Sequence, residues 1–438
     1  MLSPQRRQEV VDALRRGTVP QRSLDAFAVG LERFESALDE ELAVVQRGGS
    51  VFKAVRGEYG SGKTFFARWL QERAKRVGFA TSEVQVSEAE TPLHRLETVY
   101  RRLIERLSTS DVPSGALRSV VDGWFFALEQ DVLAEGGVHE DQTDVLVERT
   151  STLMEQRLAE VTRTAPALAA ALRGYRQAAA ASDGPAAEGV LAWIGGQPNV
   201  GADIKRGARI KGEIDHFGAL SFLQGLLVIL RDSGHAGLVV VLDEVETLQR
   251  VRSDVRDRSL NALRQLVDEI DAGRFPGLYL MITGTQAFYD GPQGIGRLAP
   301  LAQRLHTDFA TEARFDNPRA VQIRLPGFNL SLLEAVGRKV RDLYAEHAQS
   351  RERVTALVND AYVAALARAV TGGLGGKVGV APRLFLKKLV GDILDRVDQF
   401  PDFDPRQHYA LTLAETELTD VEREARAGRN PDDIALDV

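Results

Sequence analysis

Cysteine is absent from the 438 residues. That excludes disulfides, thiolate metal sites and cysteine nucleophiles. The seven histidines are scattered and form no ligand-spaced pair, so a zinc site is not expected. Long apolar runs are missing too. The most apolar stretches, residues 222–230 and 238–242, fall far short of the roughly 20 residues that span a bilayer. The opening MLSPQRRQEVVDALRRG is charged throughout and lacks the apolar centre of a signal peptide. A soluble, cytosolic chain without membrane association is the expectation. Positive charge is not in excess. The formal charge of -7 argues against nucleic-acid affinity over the whole surface but leaves room for a local basic patch. No repeat of fixed period is present.

What is there is an ordinary globular composition, 44% hydrophobic and 27% charged, in a chain long enough for two or three domains. Residues 1–50 read as mainly helical, with a break at Gly17-Thr18-Val19-Pro20. Phe34, Leu38 and Leu42 then mark one face of a second helix over 31–45. Residues 51–56 (VFKAVR) read as a short buried strand, 63–77 as a helix and 79–86 as a second strand. Thr91-Pro92 is expected to open another helix, striped by Leu93, Leu96, Tyr100, Leu103 and Leu107. The chain then reads as mostly helical to about 235, interrupted by a Gly/Pro-rich turn at 195–201, before strand character returns at 237–242 and 278–283. Residues 328–438 return to helix, apart from a glycine-rich connector at 371–379. Strands separated by helices indicate an α/β fold, a parallel sheet with helices on both faces, followed by a helical C-terminal domain.

The segment Gly57-Glu58-Tyr59-Gly60-Ser61-Gly62-Lys63-Thr64 fits G-x-x-x-x-G-K-[ST] in full, between an expected strand and an expected helix. Glycines let the backbone turn so that successive N–H groups face phosphate oxygens. The following helix adds its positive end. Lys63 supplies a point charge for the β- and γ-phosphates, and the Thr64 hydroxyl is a ligand for Mg²⁺. A second motif agrees with the first. In Gly237-Leu238-Val239-Val240-Val241-Leu242-Asp243-Glu244 an apolar strand carries two carboxylates to its C-terminal end, where ligands bind in open α/β sheets. Asp243 is the expected Mg²⁺ partner, and Glu244 the base that orients an attacking water. The pattern predicts a P-loop NTPase that binds ATP with Mg²⁺ and hydrolyses it.

These motifs resemble those of the AAA+ and STAND ATPases, especially the branch similar to origin-recognition proteins. Val29-Gly30-Leu31-Glu32-Arg33-Phe34 looks like that branch's adenine-side motif, with Leu31 where arginine is usual. Residues 278–286 (LYLMITGTQ) look like a sensor-1 strand, which makes Thr283 or Thr285 its polar residue. Ala381-Pro382-Arg383 looks like a sensor-2 segment, whose arginine would reach the γ-phosphate from a helical lid. A closer resemblance is to the ATP-binding proteins of BREX-type phage-defence systems. ALRRGTVP, VRGEYGSGKTFFARWL, GLVVVLDEVETL and VAPRLFLKKLV carry it across residues 13–390. Lys63 and Asp243 stand much further apart than a plain AAA+ core needs, which implies a helical insertion at about 110–235. The resulting division is an N-terminal segment (1–50), an ATPase core (51–325), a helical lid (326–400) and a C-terminal tail (401–438).

Several residues carry two readings. Arg297 and Arg304 are candidates for an arginine finger acting on a neighbouring copy, against ordinary surface arginines. Lys205, Arg206, Arg209 and Lys211, and separately Arg250, Arg252, Arg256 and Arg258, either meet a nucleic-acid backbone or form solvated or partner-binding faces. Trp69, Trp124 and Trp193 are expected in the core. The resemblance implies an ATPase coupled to protein partners of a defence complex or to DNA, with possible ATP-dependent self-assembly. A slow STAND-like switch and an origin-type DNA loader are the alternatives. The loader ranks last, because few residues remain after the lid for a winged-helix domain and they include an acidic stretch from Glu415 onward.

Overall fold

The computed structural model describes residues 2–136, 143–377, 379 and 381–428. The far end of the expected tail, 429–438, and Val378 of the glycine-rich connector lie outside the described residues. The fold is a mostly helical α/β architecture around one five-stranded sheet. The strands are β1 (Val51–Arg56), β2 (Ala80–Gln85), β3 (Leu238–Asp243), β4 (Leu278–Gly284) and β5 (Gln322–Arg324). Their order is β2-β3-β4-β1-β5, and every neighbouring pair is parallel. All five C-terminal ends therefore lie along one edge.

The strands show why the sheet is buried on both sides. Leu238, Val240 and Leu242 of β3 enter one apolar core with Leu278, Leu280 and Ile282 of β4. Val239 and Val241 enter a second core with Tyr279 and Met281. Side chains alternate across a strand, so a continuous apolar run feeds two cores at once. Lys53 of β1 is a charge in this setting, 1% exposed. Its ammonium donates to Pro318 O (3.3 Å) and Ala320 O (2.7 Å) and pairs with Glu41, so no charge is buried alone.

The two faces carry different helices. The described helices between β2 and β3, from Leu96–Glu105 to His216–Asp232, pack about the first core with helix Ser253–Asp271. The second core takes helix Lys63–Arg76, the N-terminal helices Pro4–Arg15 and Glu32–Gln46, and the helices after β5. Arg15 ties the first helix to the helical region after β5, donating from Nε (2.6 Å) and Nη2 (2.8 Å) to Asp395.

Three details depart from the expected elements. The helix expected at Thr91-Pro92 begins at Leu96, because Arg95 takes a non-helical conformation (φ −107°, ψ 80°). Its whole apolar stripe is buried nonetheless. Strand β5 has only three residues and left no run in the sequence. The helix that starts at Pro382–Lys387 continues through wider π-type turns at Lys388–Leu394 before Asp395–Gln399. The three tryptophans are core residues, at most 2% exposed, and each indole N–H has an acceptor: Asp25, Asp232 and Gly212 O.

Candidate nucleotide site

The site lies on the C-terminal edge of the sheet. β1 runs into the glycine-rich turn, and helix Lys63–Arg76 leaves it. Gly62 is required by geometry, since it caps the helix at φ +89°, where other residues are strained, while a Cβ on Gly57 would stand 2.4 Å from Ser61 Oγ and force that side chain to move. Ser61 Oγ is buried without a hydrogen-bond partner and Ser61 lines the cavity described below. Such an orphan is the kind of group a ligand satisfies. Lys63 is 8% exposed. Its ammonium donates to Gly57 O (3.0 Å) and Glu58 O (3.2 Å) and lies 5.3 Å from the Tyr59 ring centre.

The acidic motif arrives from β3, with β4 between it and β1. Thr64 Oγ1 donates to Asp243 Oδ2 at 2.9 Å, joining residues 179 positions apart. Thr283, at the end of β4, donates its hydroxyl to Asp243 Oδ1. Glu244 adopts a left-handed conformation, φ +60°, which is uncommon for a residue with a side chain. This turns the chain out of the strand, and Gln85 Nε2, at the end of β2, donates to Glu244 Oε2 at 2.7 Å. The sequence left Gln85 without a role, because its partner is 159 positions away.

Glu246 likewise has no role assigned by the sequence motifs. It follows Glu244 by two positions in the turn Val245–Gln249, is 5% exposed, and sits 4.0 Å from the Lys63 ammonium. Burial pushes its carboxyl up to about 7; Lys63 offsets part of that, and Glu244 and Asp243 add to it. The continuation of the acidic run, Asp243-Glu244-Val245-Glu246, was the available signal.

These groups border a cavity of about 430 Å³. Polar groups on its wall come from the glycine turn, Lys63, Thr64, Asp243, Glu244 and Glu246. Apolar groups on it include Phe27, Val29 and Leu31 from the N-terminal segment and Phe328, Leu332 and Leu386 from the helical region after β5. An apolar slot beside a glycine-rich, lysine-bearing turn suits a purine base joined to phosphates. Gly30 lines the same wall at φ +72°. Arg33 points elsewhere, donating to Ala313 O (2.7 Å) and Arg324 O (3.2 Å).

The remaining candidates divide. Arg383 lines the cavity, but its guanidinium is held by Glu422 (Nε to Oε1 2.9 Å) and by Glu417 O (2.8 Å). Thr285 is buried at the start of helix Gln286–Asp290 and is not on the cavity wall. Arg297 bonds Asp257 (3.2 Å) and Ser253 (3.1 Å), while Arg304 pairs with Asp268. Neither lines the cavity. The second basic stretch is partly internal, since Arg256 is 7% exposed and donates to the carbonyls of Leu248, Gln249 and Val251. Arg206, Arg209 and Lys211 of the first stretch are exposed, and Lys205 is half-buried.

Thr64 and Asp243 offer two adjacent oxygen donors, which suits a hard divalent cation. Among the described residues no group of three or more His, Cys, Asp or Glu side chains forms a metal site. Among the described residues no helix is long and apolar enough to cross a membrane. No curated protein matches the sequence. Residues 2–413 match the family described as BREX system ATP-binding protein BrxC/D, and with nearly the whole chain covered the protein belongs to that family: it is an ATP-binding protein of a phage-defence system.

Proposed function

We propose that the protein is a P-loop ATPase that converts ATP and water to ADP and phosphate at this cavity. The observation that carries the reading is the 2.9 Å hydrogen bond from Thr64 to Asp243, which joins the glycine turn and the acidic strand in one place. Gly57 through Thr64 cradle the phosphates by backbone N–H groups, and Lys63 bridges the β- and γ-phosphates. Thr64 and Asp243 would hold Mg²⁺, which would supply positive charge beside the phosphate oxygens. Glu244 orients the attacking water once it leaves Gln85. Thr283 fixes Asp243 through its hydroxyl.

The same reading takes the helices within 110–235 as an insertion in the ATPase core and residues 326–400 as a lid. Arg383 of that lid would have to leave Glu422 before meeting a γ-phosphate. Hydrolysis would then drive protein partners of the defence complex, or DNA, with an ATP-dependent homo-oligomer as one form of the coupling.

One pair of observations favours a slower, switch-like cycle. Glu244 is held by Gln85 and Arg383 by Glu422, so two groups that hydrolysis needs are already engaged elsewhere. Phosphate release, measured for the wild type and Glu244→Gln with and without DNA, tests both readings. The ATPase reading expects turnover that Glu244→Gln abolishes while ATP binding persists. Normal turnover in that variant would remove Glu244 from its role. Turnover near background with intact, nucleotide-dependent assembly in size-exclusion chromatography would select the switch.

A further inference from the structure

The proposed hydrolysis uses Asp243 and Glu244 and leaves Glu246 without a task. Yet Glu246 lies on the cavity wall, nearly inaccessible, with Oε2 lacking any hydrogen-bond partner and Oε1 4.0 Å from the Lys63 ammonium. A buried carboxylate with an unmatched oxygen is costly, and folds keep such groups where they act on something. The charged and titratable groups around it come from three elements. Lys63 faces it from helix Lys63–Arg76, Asp243 and Glu244 from the end of β3, and Tyr289 from helix Gln286–Asp290, with Arg56 beyond that ring. Lys63 is the cation in direct reach of the carboxylate.

We propose that Glu246 is a positioning residue that competes with nucleotide phosphates for the Lys63 ammonium. The inference rests on reading Gly57 through Thr64 as the ATP site and adds a control on its affinity. Phosphates draw Lys63 toward themselves and bring negative charge beside Glu246. Two anionic groups cannot share a water-poor site comfortably, and the weaker acid takes a proton. Burial has already brought Glu246 to about 7, so it is the group prepared to accept one. The bound state then holds that proton more firmly than the free state. Protons therefore favour binding, and affinity declines as pH rises through and above the neutral range.

The test titrates a fluorescently labelled, non-hydrolysable β,γ-imido analogue of ATP, with saturating Mg²⁺, against the full-length wild type and Glu246→Gln. Wild-type affinity should fall about tenfold between about pH 6 and about pH 8.5, as a difference of one pKa unit between free and bound forms requires. Glu246→Gln should be flat across that range and about tenfold tighter than wild type at the alkaline end. A variant that keeps the wild-type slope, or binds more weakly than wild type at alkaline pH, overturns the proposal. If Glu246→Gln does not fold, calorimetry on the wild type decides. Binding measured near neutrality in two buffers of unlike ionisation enthalpy should show net proton uptake, and release or no exchange overturns the proposal. Failure of the wild type to bind at any pH would instead overturn the nucleotide-site reading, and this inference with it.

Discussion

The helices between β2 and β3 and the helices after β5 cover opposite faces of one sheet, and their relation to the cavity differs. The C-terminal helices place Leu332, Val336, Arg383 and Leu386 on its wall, and the N-terminal segment adds Phe27 and Val29. The region from Leu96 to Asp232 is far longer, yet among the described residues it contributes nothing to that wall. Both regions are well packed, so the difference is one of placement rather than order. Helix Lys63–Arg76 shares its core with the N-terminal helices and the helices after β5, and that face borders the cavity. Gln85, at the end of β2, holds Glu244.

Four variants test that division, from the largest expected effect to the smallest. Lys63→Ala should reduce ATP affinity by about a hundredfold or more in a fluorescence titration, since it removes the one buried cation on the phosphate turn. Trp124→Ala sits in the region away from the cavity, is 1% exposed and leaves a large void. It should lower unfolding stability by about 3–5 kcal/mol in denaturant titrations while the folded fraction keeps wild-type ATP affinity. Arg383→Ala should change turnover by roughly tenfold and binding by much less, because its guanidinium borders the cavity but is bonded to Glu422. Replacing Lys205, Arg206, Arg209 and Lys211 together by alanine should leave ATP affinity within about twofold, as none lines the cavity and surface charges away from a site are screened by salt. Loss of ATP binding in the Trp124 or the four-residue variant, with the protein folded, would break the comparison.

Much of the sheet was legible because burial on two faces writes itself as an apolar run. Residues 238–242 and 278–283 needed no tertiary knowledge to be read as strands. The glycine turn was legible for a different reason: its backbone conformation and close contacts admit few residues, so the pattern is compact and local. Strand β5 escaped notice because three residues, one of them the polar Gln322, leave no periodic signal. Gln85 and Glu246 escaped notice because a single polar residue carries no mark of what lies across from it. Glu422 was out of reach for the same reason. Its hold on Arg383 spans 39 positions and depends on how the last described helix, Asp420–Arg426, folds back onto the cavity.

The amino-acid sequence by itself determined the chemical groups and their local supports: a glycine turn after a strand, a lysine and threonine opening a helix, two carboxylates ending another strand. Local rules suffice there, since each group is held by its own neighbours along the chain. Only the tertiary structure decided which groups meet. The parallel order β2-β3-β4-β1-β5 brings Thr64 to Asp243, Gln85 to Glu244 and Glu246 to Lys63. It also decided that segments before β1 and after β5, rather than the helices between β2 and β3, join the two motifs around the cavity. The physical reason is that a two-faced sheet sorts helices by the core into which they bury their apolar stripes. That choice depends on packing against partners distant in sequence, which no local pattern records.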